Sequence, residues 1–233
     1  MIRRQELAAN LAAVQERLRL ACEAAGRPAD DVSLVVVTKF FPASDVRALA
    51  DLGVRDVGEN RHQEAQAKAT ECAGLDVRWH FIGGLQSNKA AAVAAYADVV
   101  ESVDRAKLVT GLDRGAAQRG GPLDCLVQVS LDPPDAQGAR SGVHPDDLAA
   151  LADAVEQAEH LRLRGLMAVA PLGEEPEAAF DRLAAIRAGF LADHPGATEL
   201  SAGMSEDLEA AVARGATHVR VGRAVLGSRP TVK

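Results

Sequence analysis

Eight short β-like runs alternate with helical patterns along the 233-residue chain. Strands separated by helices run parallel and are joined by right-handed crossovers, so this order predicts an α/β fold closed as a (β/α)8 TIM barrel, with an additional N-terminal helix. The structural alternative, a doubly wound open sheet, is disfavoured because no GxGxxG opens a helix after the first strand. Composition agrees: the 48% hydrophobic content is mostly Ala, Val and Leu with only 3% aromatic, and such small side chains suit packing between helices and a parallel sheet. Nothing in the composition divides the chain, and one domain over residues 1–233 is expected.

From the N-terminus, Leu7, Leu11, Val14 and Leu18 recur at helical spacing with Glu, Arg and Gln between them, so the chain opens with an amphipathic helix that ends near Gly26-Arg27-Pro28. Strand-like runs then lie at 34–39, 56–60, 78–83, 99–103, 123–130, 163–169, 198–203 and 218–222. Helical patterns begin at Ser44, Arg61, Gln86, Asp104, Pro145, Glu175 and Ser205, with a short last piece from Arg223. In the helix after Glu175, Phe180, Leu183, Arg187 and Phe190 share one face. The longest irregular piece is 131–143.

Charge and cysteine usage exclude several classes. A net charge of −7 with no basic run argues against nucleic-acid or anionic-membrane binding, since both need clustered Lys and Arg. Cys22, Cys72 and Cys125 are widely spaced with no CxxC, which indicates neither a disulfide framework nor a zinc site and fits a reducing cytoplasm. Glu6 and Glu16 interrupt the opening segment, so it does not read as a signal peptide, and the apolar stretch 90–100 is too short to span a bilayer. The six histidines form no HxxxH or HxH pair, most read as surface or turn residues, no GxSxG is present, and no metal site is expected.

Lys39 closes the β-branched run Leu34-Val35-Val36-Val37-Thr38-Lys39 and precedes Phe40-Phe41-Pro42. Of the lysines, which are Lys39, Lys68, Lys89, Lys107 and Lys233, only this one ends a strongly strand-like run. An amine held at a barrel mouth can lose some preference for the charged form and attack an aldehyde; the alternative is a solvated strand-end lysine. Other strand ends are also polar: Gly58-Glu59-Asn60, His80 to Gly84, Ser201 to Ser205, and Arg220-Val221-Gly222. Such residues also cap helices and make turns regardless of function. The seventh and eighth loops are more specific together, because Gly203, Ser205 and Gly222 can offer backbone N–H groups and a hydroxyl at the usual phosphate site of this barrel. A phosphate there and an amine at Lys39 suit pyridoxal 5′-phosphate (PLP), which carries an aldehyde, a phosphate and a ring nitrogen. Arg220 would face that nitrogen as a donor only, leaving it unprotonated and the electron sink weak; its alternative is a structural salt bridge.

These residues resemble one family. Val37-Thr38-Lys39, Gly58 to Glu64, Trp79 to Lys89, Gly165-Leu166-Met167, Leu200 to Asp207 and Val219 to Gly222, in this order, are similar to the pyridoxal phosphate homeostasis proteins, single-domain relatives of the alanine racemase barrel. The resemblance covers about 34–227 and implies a (β/α)8 barrel with PLP held as an imine on Lys39. It also implies cofactor contacts at Asn60, Met204, Ser205, Arg220 and Gly222, with Ser201 nearby. Two positions depart from the family pattern: Gly84 stands where histidine is usual, and Arg140-Ser141-Gly142 where Lys-Ser-Gly is common. An arginine cannot form an imine, so no second covalent contact carries over to that loop.

The expectation is therefore a non-catalytic cytoplasmic protein of PLP (vitamin B6) homeostasis that exchanges PLP with apo PLP-dependent enzymes, as a monomer, with a dimer as the alternative. The rival reading is an amino-acid racemase, which needs a second acid/base opposite the lysine. Here the only tyrosine is Tyr96, placed by the pattern in an Ala-rich helix. A plain interaction scaffold would require the whole strand-end set to be accidental.

Overall fold

The structure, a computed structural model, describes residues 2–132 and 141–228. Arg140 lies outside them, and so does most of its loop. Eight parallel strands, β1 (Ser33–Val37), β2 (Asp56–Glu59), β3 (Arg78–Phe81), β4 (Val99–Val103), β5 (Leu123–Gln128), β6 (Leu161–Met167), β7 (Glu199–Ser201) and β8 (His218–Val221), form a closed barrel in sequence order. Closure is made by β1 against β8, with Val35 opposite Arg220 and Val36 opposite Val221. The helices are α1 (Ile2–Ala24), α2 (Ala43–Asp51), α3 (His62–Glu71), α4 (Ala90–Ala94), α5 (Ala106–Arg119), α6 (Leu148–Glu156), α7 (Pro176–Asp193), α8 (Leu208–Ala213) and α9 (Arg223–Leu226). The barrel and the opening helix are as the sequence predicts. Element ends differ by a few residues: β1 stops at Val37 rather than Lys39, and β7 stops at Ser201 because Gly203 turns the chain with φ +89°.

The pleat decides what each strand offers. Val36, Val57, Trp79, Val219 and Val221 pack outward under helices α1 and α2, in one cluster with Leu7, Leu11, Val14 and Leu18. Their neighbours along the strands therefore point into the barrel. Apolar side chains fill part of that interior, Val99, Leu126 and Met167 as one group and Val35, Val37 and Ile82 around Gly58, and a buried polar set shares it.

Helix α1 covers the seam where the barrel closes. Its buried face is Leu7, Leu11, Val14 and Leu18, at steps of four and three residues. Its polar edge reaches both loops beyond the seam. Arg17 donates to the Ser205 carbonyl at 2.6 Å and pairs with Glu209, Asn10 donates to the Val225 carbonyl at 3.0 Å, and Arg3 bridges Asp45 and the Leu226 carbonyl. At the far side of the chain, α7 begins with Pro176, whose fixed φ suits a first helical position, and buries Phe180, Leu183 and Phe190 as the pattern predicts.

Candidate functional site

Lys39 lies two residues past the end of β1, in a turn closed by the Phe41 N–H donating to the Thr38 carbonyl at 3.0 Å. Phe40 sits in the left-handed region, φ +72°, the one non-glycine residue among those described to do so. The turn carries Lys39 onto the wall of a cavity of about 700 Å³ at the C-terminal mouth of the barrel. Met204, Ser205, Arg220 and Gly222 line the same cavity. Of the seven expected site residues, five thus share one space. Asn60 and Ser201 do not line it. Asn60 follows β2, and its backbone carries the turn after β3, where a Cβ on Gly83 would meet the Asn60 carbonyl oxygen at 2.2 Å. Ser201 is fully buried beneath Arg220.

Two glycines bring the seventh and eighth loops close to the site. A side chain at Gly203 would strain a positive φ and place its Cβ 2.6 Å from that of Ala211. At Gly222 a Cβ would stand 3.1 Å from the Val37 carbonyl oxygen, on the opposite side of the seam. The Met204 N–H donates to the Asp207 carboxylate at 2.5 Å, which curls the loop so that Ser205, Glu206 and Asp207 border the cavity.

Below the cavity, a line of alternating charges runs down the barrel interior. Arg220, 4% exposed, donates to the Ala168 carbonyl at 2.8 Å and to Ser201 Oγ at 2.6 Å. Ser201 in turn donates to Glu101 at 2.6 Å, and Glu101 is bonded to His80 Nδ1 at 2.7 Å. His80 Nε2 reaches Asp56 at 2.9 Å near the barrel floor. Burial alone would depress the His80 imidazole, but hydrogen bonds and charges from Asp56 and Glu101 outweigh it and carry it up to about 9. Burial would raise Glu101; His80, Arg220 and Ser201 together bring it down to about 2. Burial also lowers Arg220, against Glu101 and Asp207, yet a guanidinium has ample margin to stay charged. The column therefore holds Arg220 rigidly, as a cation whose counter-charge lies behind it.

A groove of about 610 Å³ between α1, α7 and α8 lies on another face. Alanines and charged residues such as Arg17 and Glu209 line it, and it contains no nucleophile.

Residues 9–230 match the family model described as alanine racemase, N-terminal domain. The chain is 44% identical to the pyridoxal phosphate homeostasis protein of Mycobacterium tuberculosis, covering 97% of this chain and 94% of that one. The chain belongs to the pyridoxal phosphate homeostasis protein family. The Pseudomonas aeruginosa member is also 44% identical, over 96% of each chain. PipY of Synechococcus elongatus, a structure solved with PLP bound, is 36% identical and superposes with a TM-score of 0.82 over 95% of this chain and 100% of that one.

Several residues that organise this family member's site escape a reading of the sequence. His80 is 2% exposed, and His194 3%, so neither is a surface residue, and His80 lies within β3 rather than in a turn. Glu101 and Asp56 inside the barrel, and Lys68 on α3 outside it, carry no spacing that marks them as buried partners. A signal for Glu101 does exist: a carboxylate inside the apolar run Val99 to Val103 implies a buried partner. Tyr96 lies just beyond α4 rather than in it, with its ring stacked on His62 at 5.9 Å.

Proposed function

We propose that this chain binds PLP through a reversible imine on Lys39 and serves intracellular PLP homeostasis as a cytoplasmic carrier, without efficient catalysis. The observation that carries this reading is the shared cavity, where an amine, a buried guanidinium and two glycine-shaped loops meet around one space. These residues fit the cofactor: the close approach of Gly222 to Val37 and the left-handed Gly203 leave backbone and the Ser205 hydroxyl to meet a phosphate. Lys39 would hold the aldehyde, Arg220 the ring nitrogen, and the loops at 201–205 and 220–222 the phosphate, with Asn60 and Ser201 supporting from outside the lining. When bound, PLP supplies a reactive aldehyde and an electron-withdrawing ring. Arg220 offers only donors, so it orients the ring without protonating it. The family membership and the PLP-bound relative support the same reading. No described helix is long and apolar enough to cross a membrane.

Among the described residues, no tyrosine, histidine or cysteine lines the cavity. Glu174, which does, is paired with Arg182, and Asp207 is engaged by the Met204 N–H. Tyr96 stands against His62 at 3.5 Å, and burial together with the Glu59 charge pushes its hydroxyl above the usual phenol range. Glu206, the remaining carboxylate of the lining, is exposed, so among the described residues no buried acid/base of the lining stands ready for two-sided proton transfer, which favours the carrier over the racemase. Alanine and serine racemisation by the PLP-loaded protein should not exceed that of free PLP at equal concentration, whereas the loaded protein should reactivate an apo PLP enzyme. A saturable racemase rate abolished in Lys39→Ala would overturn the carrier reading, as would failure to release or accept the cofactor.

The phosphate placement has its own test. Gly222→Asp puts a carboxylate beside the proposed anion site in a poorly screened pocket, and should weaken PLP about tenfold or more while affecting pyridoxal, which lacks the phosphate, far less. Equal weakening of both ligands, read by fluorescence titration, would place the phosphate elsewhere.

A further inference from the structure

The backbone on both sides of Lys39 is held by a buried ion cluster. Lys68, whose side chain is 7% exposed, spends its ammonium on three acceptors: the Thr38 carbonyl at 2.8 Å, Glu59 Oε1 at 2.7 Å and Glu64 Oε1 at 2.6 Å. The Thr38 hydroxyl donates to the same Glu59 oxygen at 2.6 Å. On the other side, the Phe40 N–H donates to Glu64 Oε1 at 2.5 Å. The Arg61 guanidinium stands 5.1 Å from the Phe40 ring centroid. Thr38 is also tied to β2 by its N–H on the Gly58 carbonyl at 2.9 Å.

Two features argue that this cluster is not simply core filling. A buried Lys–Glu pair costs desolvation that well-packed apolar residues avoid. Here the pair is not even optimised for stability, because Glu59 Oε2 is buried without a hydrogen-bond partner. Burial raises the Glu59 carboxyl above its ordinary range despite Lys68 and Thr38. The second feature is Phe40, held at a positive φ that non-glycine residues avoid, and such strain persists only where surrounding contacts over-determine it. The contacts that do so converge on the peptide groups flanking Lys39.

We propose that Lys68, Glu59 and Glu64 are positioning residues for Lys39: they clamp the Thr38 carbonyl and the Phe40 N–H so that the amine leaves the turn aimed at the cofactor aldehyde. The proposal rests on the reading of Lys39 as the PLP-bearing residue. In the step it serves, the amine nitrogen adds to the aldehyde carbon, a water molecule leaves, and a C=N bond remains. A fixed base for the lysine stem favours that step without touching the phosphate or ring contacts.

The test compares two ligands, PLP and pyridoxine 5′-phosphate, whose alcohol cannot condense with an amine. Glu64→Ala removes the acceptor of the Phe40 N–H at a side chain that is 24% exposed, leaving Lys68 paired with Glu59. It should weaken PLP and slow borohydride trapping on Lys39 by about tenfold, with pyridoxine 5′-phosphate affinity held within about twofold. Glu64→Gln keeps an oxygen for the Phe40 N–H and should restore PLP binding, and Lys68→Met should follow Glu64→Ala. Should Lys68→Met fail to fold, the Glu64 pair decides. Unchanged PLP binding in Glu64→Ala, equal losses for both ligands, or no rescue by glutamine would overturn the positioning role. Lys39→Ala is the control: if it still discriminates PLP from pyridoxine 5′-phosphate, the reading of Lys39 falls and the inference with it. If it loses discrimination while Glu64→Ala retains it, only the inference falls.

Discussion

Borohydride reduction of the PLP-loaded protein is expected to fix a pyridoxyl group on the peptide containing Lys39, and Lys39→Ala is expected to lose both the adduct and the visible absorption. The effect should be close to complete, because the competing amines are poorly placed. Lys68 is buried and its ammonium is committed to a carbonyl and two carboxylates. Lys89 and Lys107 do not line the cavity, whereas Lys39 does. Mass spectrometry of the digested, reduced protein reads the result directly. An adduct found mainly on Lys68, Lys89 or Lys107, or absorption surviving in Lys39→Ala, would refute the assignment.

Glu101→Ala should be among the most destabilising single substitutions in the chain. Glu101 is 1% exposed and, among the described residues, is the one carboxylate within 4 Å of both His80 and Arg220. Removing it leaves the buried Arg220 without its nearest carboxylate and His80 with Asp56 alone, a change of about 3–5 kcal/mol for a broken buried pair. Glu101→Gln keeps a hydrogen-bonding group and should lose less. The same column sets a pH dependence. His80 is raised from its ordinary 6.5 to about 9, so its contribution is fully present below about 6.5 and is lost as pH rises through 9. That loss amounts to about 3 kcal/mol by linkage. Glu101, lowered to about 2, contributes above its ordinary 4.5 and loses its contribution as pH falls toward 2. His218, 6.2 Å from His80 and lowered by burial, adds a further loss on the acid side of 6.5 as the unfolded chain takes up its proton. Urea unfolding from pH 5 to 10 should show the alkaline decline, blunted in Glu101→Gln because His80 then keeps only Asp56. A flat alkaline limb in the wild type would show that His80 is not held as a cation.

The barrel was legible because its signals are local. Strand-like runs alternating with helical patterns, and the 7-11-14-18 spacing of α1, each act over a few residues and agree with one another. The mouth was legible for the same reason, since Lys39, Met204, Ser205, Arg220 and Gly222 all stand at strand ends, which the topology gathers. The interior was not. Asp56, His80, Glu101 and Ser201 come from four strands, and no spacing within any one of them reveals that their side chains meet. Lys68 reads as one polar residue on an exposed helix. Only the pairing of β1 with β2, and the packing of α3 outside them, brings it under Thr38.

The near-contact of Gly222 with Val37 ties the site to the closing of the barrel. Val37 ends the first strand and Gly222 directly follows the last, so the cavity wall between them is absent until the eighth strand has closed on the first. Bridging so long a loop is an entropically slow event, and contacts of this kind dominate the folding time of high-contact-order proteins. A ligand that occupies the mouth would therefore recognise closed barrels only, and would oppose the reopening of that joint.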